Sequence, residues 1–364
     1  MNINPLAKKL DRYIIRKFLG TFFFALLLII LIVVIFDISE KIDDFLVKQA
    51  PLKAIIFDYY FNFIPYFANL FSSMFIFIAV IFFTSKMAGD SEIIAILSSG
   101  ISYKRLMYPY FVSALILSIL SFLLINWVIP PANKHRLEFE EKYIRNKFTN
   151  REHDIHQQIL PGQFIYMESY NNDYNIGYKF AIEQIEDGEL KSKLISEYVQ
   201  WDSTINKWRA SNCYIRTFED GKEQVVFHRK LDTTLNMFPT DFTRRRNVVE
   251  AMNYQELNAF IEEETRKGAE NIVLWKLEKH QRFASVFSTF ILTLIGVSLS
   301  SRKTRGGIGL NIGIGILLAF TYIMFMQVST VLATNANVPP VIAVWIPNVI
   351  FGFIGIFLYN RAKR

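Results

Sequence analysis

Five stretches of the chain carry no Asp, Glu, Lys or Arg: Phe18–Phe36, Tyr59–Ser85, Leu106–Asn133, Phe283–Ser301 and Gly306–Asn360. An α-helix rises about 1.5 Å per residue, so Phe18–Phe36 and Phe283–Ser301 each reach across roughly 29 Å, one hydrocarbon thickness. Tyr59–Ser85 and Leu106–Asn133 are longer and leave room for tilt or for helix beyond the bilayer. Gly306–Asn360 is too long for one crossing, and the polar, proline-paired stretch Thr334-Asn335-Ala336-Asn337-Val338-Pro339-Pro340 divides it. The pattern predicts six spans, at about 18–37, 60–84, 107–130, 283–301, 308–332 and 341–359. A single apolar run is compatible with a buried core helix or a signal peptide. Six together are not, and the first is long for a signal peptide and lacks a small-residue cleavage site.

The 134–282 stretch between the third and fourth spans is charged and aromatic. It opens with a charged helical segment, Pro131 to about Phe148, and from Asp154 the period changes to two. Candidate strands are Asp154–Leu160, Gln163–Tyr170, Tyr178–Glu186, Lys191–Trp201, Lys207–Phe218, Gln224–Leu231 and Thr234–Phe238. Pro161-Gly162, Asn171-Asn172-Asp173, Asp187-Gly188, Asp202-Ser203 and Asp220-Gly221 supply the turns. Short strands at this spacing predict an antiparallel sandwich, jelly roll or barrel. Helical spacing returns over Tyr254–Gly268, with Asn253 as N-cap and Gly268 as stop. The predicted fold is therefore an α-helical membrane protein of three plus three spans with an inserted all-β domain. Its divisions are 1–133, 134–282 and 283–364.

Charge sets the orientation. Lys8, Lys9, Arg12, Arg16 and Lys17 precede the first span; Lys86, Lys104 and Arg105 lie between the second and third. Arg302, Lys303 and Arg305 lie between the fourth and fifth, and Arg361, Lys363 and Arg364 end the chain. With six spans all four groups share one side, which the positive-inside rule makes cytoplasmic. Both termini are then cytoplasmic and the β domain lies outside. The net charge of +7 is accounted for by this asymmetry and gives no reason to invoke nucleic acid.

The sole cysteine, Cys213, excludes an intramolecular disulfide and a cysteine-built zinc site. No G-x-x-x-x-G-K-[ST], H-E-x-x-H, C-x-x-C or G-x-S-x-G motif occurs, so neither a P-loop nor these hydrolytic or redox sites is expected. His153 and His156 are poorly spaced to share a metal. The apolar runs hold no ionisable group, which argues against a proton or ion relay. Asn62, Asn69 and Asn126 are the polar residues in or beside the spans that an enzyme reading would need; inter-helix hydrogen bonding is the simpler role for them.

Two groups of residues offer chemistry. In Lys86–Arg105, Asp90 or Ser91 can cap a short helix, Glu92 suits its positive end, and Gly100 can end it. Ile93, Ile94, Ile96 and Leu97 form its apolar face. Such a helix either lies on the membrane surface or inserts into a groove of a cytoplasmic motor protein. On the opposite side Lys41, Lys134, Arg136, Lys279 and Arg282 are candidates for anionic lipid headgroups, though interleaved glutamates also describe a solvated helix face.

Several of these segments resemble the lipopolysaccharide-export permease family of the LptF/LptG type. They are Leu10-Asp11-Arg12-Tyr13 before the first span, Ser91–Ser102 (SEIIAILSSGIS) in the loop, Glu197–Trp208 (EYVQWDSTINKW) in the β domain and Pro339–Asn348 (PPVIAVWIPN) at the sixth span. The resemblance implies a jelly-roll periplasmic domain, and two permease subunits around a cavity that lipopolysaccharide enters near the first and fifth spans. It implies a cytoplasmic ABC ATPase dimer, carrying ATP and Mg, that holds coupling helices such as 91–99; this chain would bind no cofactor itself. It also implies periplasmic jelly-roll bridge proteins that receive the lipid, contact with membrane lipids, and an inner-membrane location in a Gram-negative bacterium. Glu92 matches the coupling-helix glutamate. Where some members carry a lysine cluster at the outer end of the first span, this chain has only Lys41. The Leu-Asp-Arg-Tyr start leans toward the LptG type. The alternative is a membrane-anchored receptor or scaffold that uses the β domain to bind a partner.

Overall fold

The computed structural model describes residues 5–144, 153–219, 222–242, 246–269, 272–302, 307–336 and 338–363. Six of its helices are long and apolar enough to cross a membrane, as the hydropathy pattern predicts. They are Pro5–Val47, Leu52–Gly89, Tyr103–Tyr143, Ile272–Ser300, Gly307–Asn335 and Pro340–Lys363, here the first to sixth spans. Each outruns its charge-free core: the first takes in most of the 39–55 connection, and the third continues to Tyr143. Arg145, Lys147, Phe148, Asp220-Gly221, Lys303, Arg305, Asn337 and Arg364 lie outside the described residues.

Prolines shape two of the spans. Pro130 and Pro131 have no amide hydrogen, so the carbonyls of Asn126 and Trp127 lose their helical donors, and the third span widens into a π turn over Leu124–Val128. Asn126 Nδ2 donates to Phe122 O (2.9 Å) within the same helix. The second span has a π turn over Ile55–Tyr60 ahead of Pro65, and Asn62 Nδ2 donates to the carbonyls of Phe57 and Asp58 (3.0 and 2.9 Å). These two asparagines therefore mend their own helices and do not join neighbours as predicted. Asn69 does bridge, accepting from Ser121 Oγ at 2.6 Å.

The spans pack through small and polar contacts, as helices must where lipid is as apolar as leucine. Asn311 Nδ2 donates to Ser85 Oγ (3.0 Å), Tyr322 Oη to Asn348 Oδ1 (2.9 Å) and Asn348 Nδ2 to Ala284 O (3.1 Å). A Cβ on Gly296 would stand 2.9 Å from Val80 Cγ1, so the fourth span approaches the second this closely because it presents glycine there.

The chain forms two compact units. One comprises Met1–Ile144, Glu250–Tyr254 and Val273–Arg364; the other comprises Arg145–Val249 and Gln255–Ile272. The second holds one sheet of six antiparallel strands in sequence order: β1 His153–Leu160, β2 Gln163–Asn171, β3 Ile176–Glu186, β4 Glu189–Asp202, β5 Lys207–Glu219 and β6 Lys222–Thr233. The order is that of a meander, with each strand beside its sequence neighbours and none of the crossing connections of a full jelly roll among the described residues. One face buries Ile165, Met167, Phe180, Val199 and Trp208. Thr234–Phe238 is not a seventh strand. It runs irregularly across that face, lending Leu235 and Met237 to the core and accepting from Trp208 Nε1 at Met237 O (2.9 Å). Helix Tyr254–Lys267 ends at Gly268, whose φ of +71° makes it a left-handed stop. Burial pushes the Cys213 thiol up, away from the reactive thiolate.

The β1–β2 turn depends on its glycine. Gly162 has φ +76°, and a Cβ there would sit 2.4 Å from the backbone oxygen of Ile185, whose amide donates to Gly162 O at 2.7 Å. Gly162→Ala is expected to destabilise the β unit by about 1–3 kcal/mol, combining left-handed strain with a backbone clash. Thermal unfolding followed by tryptophan fluorescence reads it; an unchanged midpoint would show that the turn relaxes freely.

Candidate coupling and lipid-contact sites

The loop between the second and third spans folds as the short helix Glu92–Ser98. Neither Asp90 nor Ser91 caps it through a side chain, contrary to the sequence expectation: Ser91 sits at φ +62° and makes no such bond. A left-handed serine costs about 1–2 kcal/mol, and such strain persists only where the surroundings enforce it. Capping falls instead to Ser102, which accepts from Arg105 N at the start of the third span. Gly100, φ +89°, ends the short helix as predicted.

The predicted apolar face divides in two. Ile93 is buried and Ile96 packs beside it, in a cluster with Ile14, Phe18, Met87 and Tyr103. Ile94 and Leu97 point outward, 51% and 36% exposed. Positions i and i+3 share one side of a helix, so each pair forms its own stripe. The helix is thus fixed on one side and presents an unpartnered apolar stripe on the other.

Ion pairs tie this loop to the first span at both ends. At the first residue of the helix, Glu92 accepts from Tyr13 Oη (2.8 Å) and from Lys17 Nζ (3.2 Å). After it, Arg105 donates from both terminal nitrogens to the two carboxylate oxygens of Asp11 (2.7 and 2.6 Å), a bidentate pair. Tyr13 and Lys17 are one helical turn apart, which places both against one carboxylate. Asp11, Tyr13, Lys17 and Arg105 were each visible in the sequence, but only as part of a basic or family-like segment. Their pairing joins positions 75 to 94 residues apart, which local periodicity does not encode.

At the other end of the spans the five candidate cations have different surroundings. Lys134 is exposed. Lys41 donates to Asp37 Oδ1 (2.5 Å) and to the Tyr59 hydroxyl, with its ammonium 5.0 and 5.9 Å from the Tyr59 and Phe63 ring centres. Lys279 is half-buried, 5.9 Å from the Tyr254 ring centre. Arg136 is buried: its Nη2 meets Glu250 Oε2 at 3.2 Å, its Nε lies 3.7 Å from Glu140 Oε1, and its guanidinium stacks 4.6 Å from the Tyr66 ring centre. Arg282, also buried, donates from Nε to Glu278 (3.2 Å) and from Nη1 to Met252 O (2.9 Å). Asn133 Nδ2 donates to Glu250 O at 3.1 Å.

Arg136, Arg282 and Asn133 therefore pin residues 250–252 against the third and fourth spans. Glu250 is pushed above the usual carboxylate range, chiefly by burial and then by the nearby Glu278 and Glu140, against the pull of Arg136. Glu278 reads in the sequence only as one of the glutamates interleaved with the basic residues, and Tyr66 and Glu250 carry no signal there, because the site joins residues from distant segments. Among the described residues no three His, Cys, Asp or Glu side chains are grouped to hold a metal, and His156 lies 4.7 Å from the Tyr166 ring.

Three spans, an inserted sheet, three spans and a short helix between the second and third match, over residues 12–361, the family described as lipopolysaccharide export system permease LptF/LptG. The chain belongs to that family. None of the curated proteins compared with it matches significantly. Membership makes it a transporter's permease subunit and a multi-pass inner-membrane protein, with a part in lipopolysaccharide export alongside other components of that system. The matched residues include the loop, the β4–β5 hairpin around Trp201 and Trp208, and the sixth span, and take in the first-span start from Arg12 onward.

Proposed function

We propose that the chain is one of two LptF/LptG-type permease subunits of an ATP-driven exporter. It draws lipopolysaccharide from the inner membrane and passes it to a periplasmic jelly-roll bridge. A separate ABC ATPase dimer, carrying ATP and Mg, seats the Glu92–Ser98 helix. Both termini then lie in the cytoplasm and the β domain in the periplasm, as the basic loops indicate.

The observation that carries this reading is the two-sided loop helix. Its inner stripe and its two ion pairs attach it to the first span, while Ile94 and Leu97 await a groove. A push on that helix reaches the first span directly, at the wall where lipid is expected to enter. Within the β unit, β6 exposes Val225, Val226 and Phe227 in succession, so both faces of that edge strand are uncovered. This suits pairing with a strand of the bridge protein. Lys134 is the headgroup contact that needs no rearrangement, and Lys41 becomes available if Asp37 releases it. Arg136 and Arg282 serve as structural cations.

Replacing Ile94 and Leu97 together by aspartate is expected to reduce ATPase co-purification about tenfold or more. Two apolar anchors are lost and two charges enter a dry groove. The thermal midpoint of the permease should not change, because both positions are exposed. Undiminished ATPase recovery would overturn the docking assignment.

A further inference from the structure

The ion pairs of the loop leave one face of the first span unused. Asp11, Tyr13 and Lys17 meet Arg105 and Glu92, but Arg12, in the same sequence segment, does not. Lys9, Arg12 and Arg16 are exposed, and among the described residues they make no hydrogen bond or ion pair. Their spacing of three and four residues sets them one above the other on one face of the helix. Like charges so placed repel each other, a cost that an anion between them removes. No acid at this end of the helix offsets them. Asp11 is the only acidic residue before Asp37, and Arg105 occupies both of its oxygens.

The same face continues into the apolar run. Gly20, Phe23 and Leu27 keep the spacing and are exposed as well. A Cβ on Gly20 would meet no atom within 4 Å. Glycine weakens a helix relative to alanine, and close packing of the kind seen at Gly296 does not call for it here. It leaves a notch in the helix surface one turn below Arg16.

Depth gives these parts an order. Arg16 stands two residues outside the charge-free run that begins at Phe18. Leu27 lies about 16 Å farther along the helix, which is about half of a bilayer's hydrocarbon core. From the water inward the face presents three cations, a notch and an apolar lane one leaflet deep. A phospholipid with an anionic head has the same parts in the same order. An acidic protein surface would satisfy the cations alone, because the lane below them lies in hydrocarbon.

We propose that this face binds one anionic phospholipid, of the phosphatidylglycerol class, from the leaflet that meets the start of the first span. Its phosphate bridges Arg12 and Arg16 with Lys9 beyond them, and an acyl chain lies in the notch at Gly20 and along Phe23 and Leu27. The lipid holds the depth of the helix that carries both ion pairs to the loop. The assignment does not depend on which side of the membrane the termini occupy.

The test uses the permease complex as purified, in phosphatidylcholine vesicles. Trace phosphatidylglycerol or phosphatidylcholine carries a photoreactive group on the acyl chain, and labelled peptides are identified by mass spectrometry. The glycerol probe is expected to label Phe23 or Leu27 at least about fivefold more than the choline probe, the effect of one basic residue beside an anionic headgroup. Leu317 and Phe320, exposed on the fifth span, should show no such preference. Arg12→Gln with Arg16→Gln should bring the two probes close to parity, whereas Arg12→Lys with Arg16→Lys should keep most of the preference. Gly20→Leu, which fills the notch, should lower labelling of Phe23 and Leu27 by both probes. Equal labelling by both probes in the unaltered protein overturns the anionic assignment. The same preference at Leu317 and Phe320 overturns the site, since it marks a general attraction of the vesicle's anions. An unlabelled first span beside a labelled fifth gives the face to another protein chain and also overturns it. These three comparisons depend on no variant folding.

Discussion

Arg136→Met is expected to lower the thermal unfolding midpoint of the purified permease by at least about 5 °C, corresponding to about 3–5 kcal/mol for removing one partner of a buried ion cluster. The side chain is 6% exposed and faces Glu250 and Glu140. Its loss leaves the buried Glu250 carboxylate without the guanidinium that faces it, which costs more than the ion pair itself contributes. The companion variant separates this from lost packing: Arg136→Met with Glu250→Gln should recover at least half of the lost stability, since the stranded charge is gone. Glu250 has a raised pKa, so its contribution is fully present below the unfolded-state value and is lost as pH rises through the folded-state value. The single variant should therefore be less damaging in mildly acidic buffer than at neutral pH. Unchanged stability together with lost lipid crosslinking would return Arg136 to the role of headgroup ligand.

Reversing the charge at Glu92 is expected to reduce lipopolysaccharide release about five- to thirtyfold while ATP hydrolysis by the complex continues. The half-exposed pair with Lys17 is worth about 0.2–1 kcal/mol, and Glu92→Lys replaces that attraction by a repulsion of similar size, a swing of about 1–2 kcal/mol. Coupling, not assembly, should suffer, because Ile94 and Leu97 are untouched. The decisive arm is the swap: Lys17→Glu combined with Glu92→Lys restores opposite charges across the same gap and should restore release. A swap that stays as poor as the single variant would place the role of Glu92 in contact with the ATPase instead.

The two sites were legible to different degrees. The absence of charge from long runs fixes six crossings before any contact is known, because a bilayer core penalises every ionised group. The Asp187-Gly188 hairpin was equally plain, since φ values of 54° and 82° are what a two-residue turn between Glu186 and Glu189 demands. The loop helix was legible as a helix, but not as one with two apolar stripes. Ile93 and Ile94 are indistinguishable until the first span packs against one of them. A serine before a helix usually caps it, but Ser91 stands in the left-handed region at φ +62° and makes no cap bond. Arg136 reads as a free rim cation because its partner Glu250 arrives from beyond the β insertion, and Arg282 because the carbonyl of Met252 lies 30 residues before it. Thr234–Phe238 alternates like a strand, but it lies across one face of the sheet, where Leu235 and Met237 fill the core.

The uncovered strand β6 has a consequence for isolated copies of the chain. Val225, Val226 and Phe227 are three strongly strand-forming residues on an unpaired edge, the pattern by which sheets recruit one another. Two orphan copies present the same edge and can zip together as readily as either joins its proper neighbour. Isolated copies are therefore expected to associate with one another through β6, and to do so more as their concentration rises.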